Sequence, residues 1–189
     1  MRRFAIVLSV LMALGSSAQT KMSQVLKMMP TEMVPYLSEN NRLDMIDFVE
    51  SNMKAEVSNL LDGKTTLMAL NDSYASLKLN DAVSMQLVLL DVSEPVDSAS
   101  QIICVIRNYS AGLKDSQVEF YSVNWKRLDA AHYVSLPSEG YVADLIDEVP
   151  AKLTLTISRA FDRPATEEQQ EVEKMLITLK WDGNSFKKS

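Results

Sequence analysis

Apolar residues recur along this chain in two rhythms, and the rhythm changes near residue 63. Before that point Leu43, Ile46, Val49, Met53, Val57, Leu60 and Leu61 return at steps of three and four, the spacing that lines one face of an α-helix. Asn41 is placed to cap the first turn, and Asp44 lies where the helix dipole favours an acid. Gly63 can adopt the left-handed conformation that closes a helix. The spacing therefore predicts one long helix over 41–62. Upstream, "SQVLKMMPTEMVPYL" offers two short apolar turns punctuated by Pro30 and Pro35.

After Gly63 the period becomes two. "TTLMAL", "ASLKLN", "SMQLVLLDV", "QIICVIRNY" and "SQVEFYSV" read as strands of an antiparallel meander. "SAGLKD" reads as a hairpin loop and "SEPVDSAS" as the most exposed loop of the chain. "YVADLIDEV" predicts a short helix stopped by Pro150. "AKLTLTISRAF" and "EKMLITLKWDGNSF" are two further strands around the acidic "TEEQQEVEK", a solvated turn or helix start. This order predicts an α+β fold, with one or more antiparallel sheets and helices packed on one face. It sits in a single domain over 19–189 and permits two similar α+β halves, 19–128 and 129–189.

The beginning of the chain reads differently. In "MRRFAIVLSVLMALGSSAQ", Arg2 and Arg3 precede an apolar run from Phe4 to Leu14, and Ser16 and Ala18 supply the small residues of a cleavage site. That is the make-up of a secretory signal peptide, residues 1–18. The run is well short of the roughly 20 apolar residues a membrane span needs, so no transmembrane segment is expected after cleavage. The expected location is the periplasm or the cell surface. Without residues 1–18 the chain has 171 of its 189 residues, and 17 basic against 25 acidic side chains. So acidic a surface repels phosphate backbones, which makes nucleic acid a poor partner. Cys104 is the single cysteine and lies inside "QIICVIRNY" with no flanking His. It reads as a small buried hydrophobe, since a reactive thiol needs an accessible, electropositive setting.

The stretch "MPTEMVPYLSENNRLDMIDFVESNMKAEVSNLLDGK", with the leader, "VEFYSVNWKRL" and "LITLKWDGNSF", resembles a family of exported proteins of unknown function from Bacteroidales. The resemblance spans the chain that follows the leader and implies a cell-envelope location; it carries no activity, ligand or catalytic residue. The element order also resembles modules of the beta-lactamase-inhibitor-protein type, by analogy alone. In bacteria of this group "DSA", at Asp97 to Ala99, matches the pattern for O-glycan attachment, which the resemblance extends to Ser98. "NDS" and "NYS", at Asn71 and Asn108, fit the N-glycan acceptor pattern but mean little without a eukaryotic secretory route.

Little else in the sequence is chemical. Asp44 and Asp47 share the helix face opposite the apolar stripe, where carboxylates are ordinary solvated surface. Glu50 points nearer the stripe, as either a partly buried acid or a side chain reaching out to Lys54. His132 is the only histidine, and Asp129, Ser135, Ser138 and Glu139 lie around it. A Ser–His–acid arrangement can be drawn there, yet no Gly-x-Ser-x-Gly elbow is present. Tyr121 and Trp125 read either as a sugar or peptide platform or as core packing. No cofactor is expected: one His and one Cys far apart do not make a zinc site, and there is no calcium loop or glycine-rich phosphate loop. The function expected is non-catalytic binding or a structural role in the envelope, toward another envelope protein or a glycan. The alternative is a small hydrolase using acidic residues or His132.

Overall fold

The computed structural model describes residues 19–111, 114–158 and 174–189. The leader therefore lies outside the described residues, as do Gly112 and Leu113 of the expected hairpin loop and all but the last residue of "TEEQQEVEK".

Two adjacent strands decide the architecture, β4 (Val83–Val96) and β5 (Ala99–Tyr109). Their apolar runs are continuous rather than alternating, so both faces of the sheet must be covered. Met85, Leu87, Leu89, Ile103 and Val105 enter one core, while Val88, Leu90, Ile102, Cys104 and Ile106 enter another. These strands lie inside an antiparallel seven-stranded meander. Its other members are β1 (Glu56–Ser58), β2 (Lys64–Leu70), β3 (Tyr74–Lys78), β6 (Asp115–Ser122) and β7 (Arg127–Leu128). A four-stranded sheet follows, ordered β11-β10-β9-β8, from β8 (Tyr141–Ile146), β9 (Lys152–Ser158), β10 (Lys174–Trp181) and β11 (Phe186–Lys188).

The first core lies between the larger sheet and two short helices, α1 (Met22–Lys27) and α2 (Glu39–Glu50), which contribute Met22, Val25, Leu26, Met45 and Ile46. The second core joins the two sheets. Leu145, Leu153, Leu155 and Leu179 meet Ile102, Cys104 and Phe120 there. At one end of it Phe120 stacks on Tyr133 at 4.9 Å between centroids, and Trp181 meets Phe186 edge-on at 5.2 Å. Burial raises the Cys104 thiol far above its ordinary range and keeps it protonated.

The edge of β8 turned away from β9 is closed by side chains of the larger sheet. Ala143 N–H donates to Ser116 Oγ at 2.8 Å, and Leu145 N–H donates to Gln86 Oε1 at 3.1 Å. Gln86 Nε2 in turn donates to Asp144 Oδ1 at 2.7 Å. A strand edge that would otherwise invite pairing is thereby satisfied internally.

The α+β expectation is corrected: the chain is mostly antiparallel β, with only two short helices. The two similar α+β halves fail with it, because the segment after Leu128 has strands and a single 3-10 turn but no α-helix among the described residues. The long helix over 41–62 stops at Glu50. Ser38 rather than Asn41 caps it, its Oγ accepting from Asn41 N–H at 3.1 Å. At the other end Asn52 turns the chain out with φ of +55°. Val57 then joins strand β1, and Leu60 and Leu61 form a turn. "YVADLI" is strand β8, with Ala143 and Leu145 buried and Asp144 exposed. The "SEPVDSAS" loop is in fact the tip of the β4–β5 hairpin. Val96 pairs with Ala99 across the two-residue turn Asp97–Ser98, both with positive φ (49° and 68°), the geometry that matches strand twist. Among the described residues no helix is long and apolar enough to cross a membrane.

Candidate functional site

The sites named from the sequence are scattered. Glu50 is exposed at the last turn of α2. His132 is exposed in the 3-10 turn Ala130–His132, and Asp129 spends its carboxylate on that turn, accepting from Ala131 N–H at 3.1 Å. Tyr121 and Trp125 do meet, at 5.5 Å between centroids, but both are buried in the helix-side core. Trp125 Nε1–H donates to Val25 C=O at 3.0 Å, which ties α1 to the turn after β6. This anchoring accompanies a φ of +63° at Trp125, uncommon for a bulky residue. Ser98 is exposed at the tip of the β4–β5 hairpin.

What the fold brings together is a different set, carried by β5, β6 and β7. Arg107 on β5 and Glu119 on β6 share the helix-side face of the larger sheet beyond the part that α1 and α2 cover. Arg107 Nη1 lies 2.5 Å from Glu119 Oε2, and Arg127 Nη2 lies 2.9 Å from Glu119 Oε1. One carboxylate therefore holds one guanidinium on each oxygen. Arg107 also turns its second nitrogen toward Met33, 3.4 Å from the carbonyl. Its side chain and that of Glu119 are each only 14% exposed, whereas Arg127 is 74% exposed. Nearby, burial pushes the Tyr36 hydroxyl above its ordinary pKa and Arg107 pulls it partly back. Burial and then the Glu119 charge push the Tyr121 hydroxyl up as well.

Beside this network β7 ends after two residues. Phe120 and Tyr121 pair with it, and Ser122 N–H donates to Lys126 C=O. By the two-residue period of a strand, Ser122, Phe120 and Val118 turn their main-chain groups to the same side. Val118 thus faces away from β5, past the end of β7. A groove of about 460 Å³ opens at this point, with Val118, Leu128 and Ala130 along its floor and Glu119, Arg127 and Asp129 at its rim. The sequence left one signal for this place, a charged residue inside each of two apolar strand runs, "CVIRNY" and "VEFY". Only the β5–β6 register shows that the two meet.

Residues 13–162 match a protein family described as "Protein of unknown function (DUF3256)". The chain belongs to that family. Among solved structures, this DUF3256 member is similar to a domain of an uncharacterized protein from Porphyromonas gingivalis W83. The TM-score is 0.73 at 15% identity, over 90% of this chain and 100% of that one. At that identity the likeness concerns the fold alone. No curated protein matches this DUF3256 member.

Proposed function

We propose that this DUF3256 member is an exported envelope protein of a Bacteroidales bacterium that works by binding rather than catalysis. It takes an extended segment of a partner envelope protein as an added strand along the free edge of β6. The observation that carries this reading is the early end of β7, which leaves the main chain of Val118 turned into the groove. Addition of a strand to a free sheet edge gives affinity through main-chain hydrogen bonds, and flanking pockets choose alternate side chains. The Arg107–Glu119–Arg127 network holds the rim in place without a guest. The leader pattern and the resemblance to exported Bacteroidales proteins support the location. The hydrolase reading has no comparable observation, because the described residues do not set His132 beside a serine and a carboxylate.

The test is to pan a displayed library of random linear peptides on the protein and map the selected peptides by amide resonances. Peptides that bind in the groove shift the amides of Val118, Leu128 and Ala130 and slow exchange of the Val118 N–H. Selected peptides that leave those amides unmoved and shift another surface would refute the proposal.

A further inference from the structure

Eight large hydrophobic side chains are exposed among the described residues, and four of them, Met53, Leu60, Leu61 and Met68, flank one element, strand β1. Their exposures are 55%, 70%, 69% and 64%. In the sequence three of these residues sit at helical spacing. In the fold that spacing has no role, because α2 ends before them and they project from the outermost strand of the larger sheet and its turns.

The main chain of β1 has a defined outer side. Leu67 N–H donates to Ala55 C=O at 2.9 Å, and Asn59 N–H donates to Gly63 C=O at 3.0 Å. Ala55, Val57 and Asn59 therefore face β2, and Glu56 and Ser58 turn their main-chain groups outward. Glu56 N–H is already taken by Lys54 C=O at 3.0 Å. What remains on offer is the Ser58 N–H and the Glu56 C=O. Soluble proteins usually guard such an edge with unpaired charge, proline or a bulge. Here the nearest charges neutralise each other, with Lys54 Nζ 2.7 Å from Glu56 Oε2.

The edge is also complementary to itself. Leu61 follows Val57 by as many residues as Met53 precedes it, and the same holds for Leu60 and Lys54. A two-fold axis at Val57 sets Glu56 of one copy opposite Ser58 of the other, Met53 opposite Leu61, and the aliphatic stem of Lys54 opposite Leu60. Apolar groups meet apolar groups, the paired charges lie between them, and both copies use the same patch, as a closed dimer requires.

We infer that two copies of this chain pair through β1, antiparallel about Val57. The Ser58 N–H of each copy donates to the Glu56 C=O of the other, and Met53, Leu60 and Leu61 close over the joint. The two seven-stranded sheets become one continuous sheet. This surface lies at the opposite end of the sheet from the β6–β7 groove, so the inference stands or falls separately from the proposed peptide binding.

Sedimentation velocity of the purified protein over a concentration series tests it, with hydrogen exchange at the Ser58 amide as a second readout. A reversible dimer is expected, with Ser58 exchange slowing as the dimer forms. Leu61→Lys, at an exposed turn position, should weaken the dimer at least tenfold with the thermal midpoint and far-UV circular dichroism unchanged. Because the whole chain is acidic and the joint is locally neutral, added salt should tighten the association by screening overall repulsion. A monomer at every concentration overturns the inference. So does a dimer that Leu61→Lys leaves intact, or one that forms without slowing Ser58 exchange.

Discussion

The two tryptophans of this chain stand in different cores, Trp125 against the helices and Trp181 between the sheets. Strands β4 and β5 supply side chains to both cores from opposite faces. A wound in one core should therefore weaken the other through the shared strands. Phe120 is the perturbation of choice, being fully buried, stacked on Tyr133 and 6.4 Å from Phe186. Phe120→Ala removes a large ring and leaves a cavity in a closely packed layer, a change that costs about 3–5 kcal/mol. With a urea dependence of about 2 kcal/mol per molar, the unfolding midpoint should fall by roughly 1.5–2.5 M.

The assay follows urea unfolding by fluorescence in two backgrounds. Trp181→Phe leaves only the Trp125 signal, and Trp125→Phe leaves only the Trp181 signal. Trp125→Phe itself abandons the Val25 carbonyl, at about 1–3 kcal/mol, so shifts are compared within each background. Adding Phe120→Ala should move both midpoints by the same amount. A Trp125 midpoint that stays put while the Trp181 midpoint drops would show two independently unfolding layers and refute the argument from shared strands.

Three further outcomes are expected. Glu119→Ala should cost about 2–3 kcal/mol by leaving Arg107 largely buried without its partner, and a cycle with Arg107→Ala should give a coupling of about 1–2 kcal/mol by chemical denaturation. Asp182 has its pKa lowered from the usual 3.8 to about 2 by its bond with Lys187 and the amides of Ser185 and Asn184. Its share of stability is thus complete above the ordinary carboxylate value and lost as pH falls through about 2, so those two amide resonances should titrate with a midpoint near 2. Protein recovered from the envelope of its own host should begin at Gln19, and its intact mass should exceed that of the polypeptide by a glycan that Ser98→Ala abolishes.

Much of the larger sheet can be read in the sequence, because a strand buried on one face alternates and a strand buried on both is continuously apolar. "QIICVIRNY" is of the second kind, and it requires two covering layers. What misleads is apolar spacing that serves no buried face. Leu60 and Leu61 complete a helical stripe on paper, yet Asn52 has already turned the chain, and both leucines end in solvent. "YVADLI" fits either period over its few residues. Its place as β8 is decided by partners far along the chain, the leucines of β9 and the polar groups of Gln86 and Ser116. The Arg107–Glu119–Arg127 network is hidden for a related reason: its members are twelve and eight residues apart, and only strand register makes them neighbours.

The plugged edge of β8 has a mechanical consequence. Greasy layers slide over one another at little cost as long as the total area stays covered, so packing alone fixes the offset of the small sheet on the large one only loosely. Ser116 and Gln86 act as two dowels. A slip of β8 by a single residue would withdraw both pegs and strand two amides away from water, turning a soft sliding contact into a joint with one permitted seat.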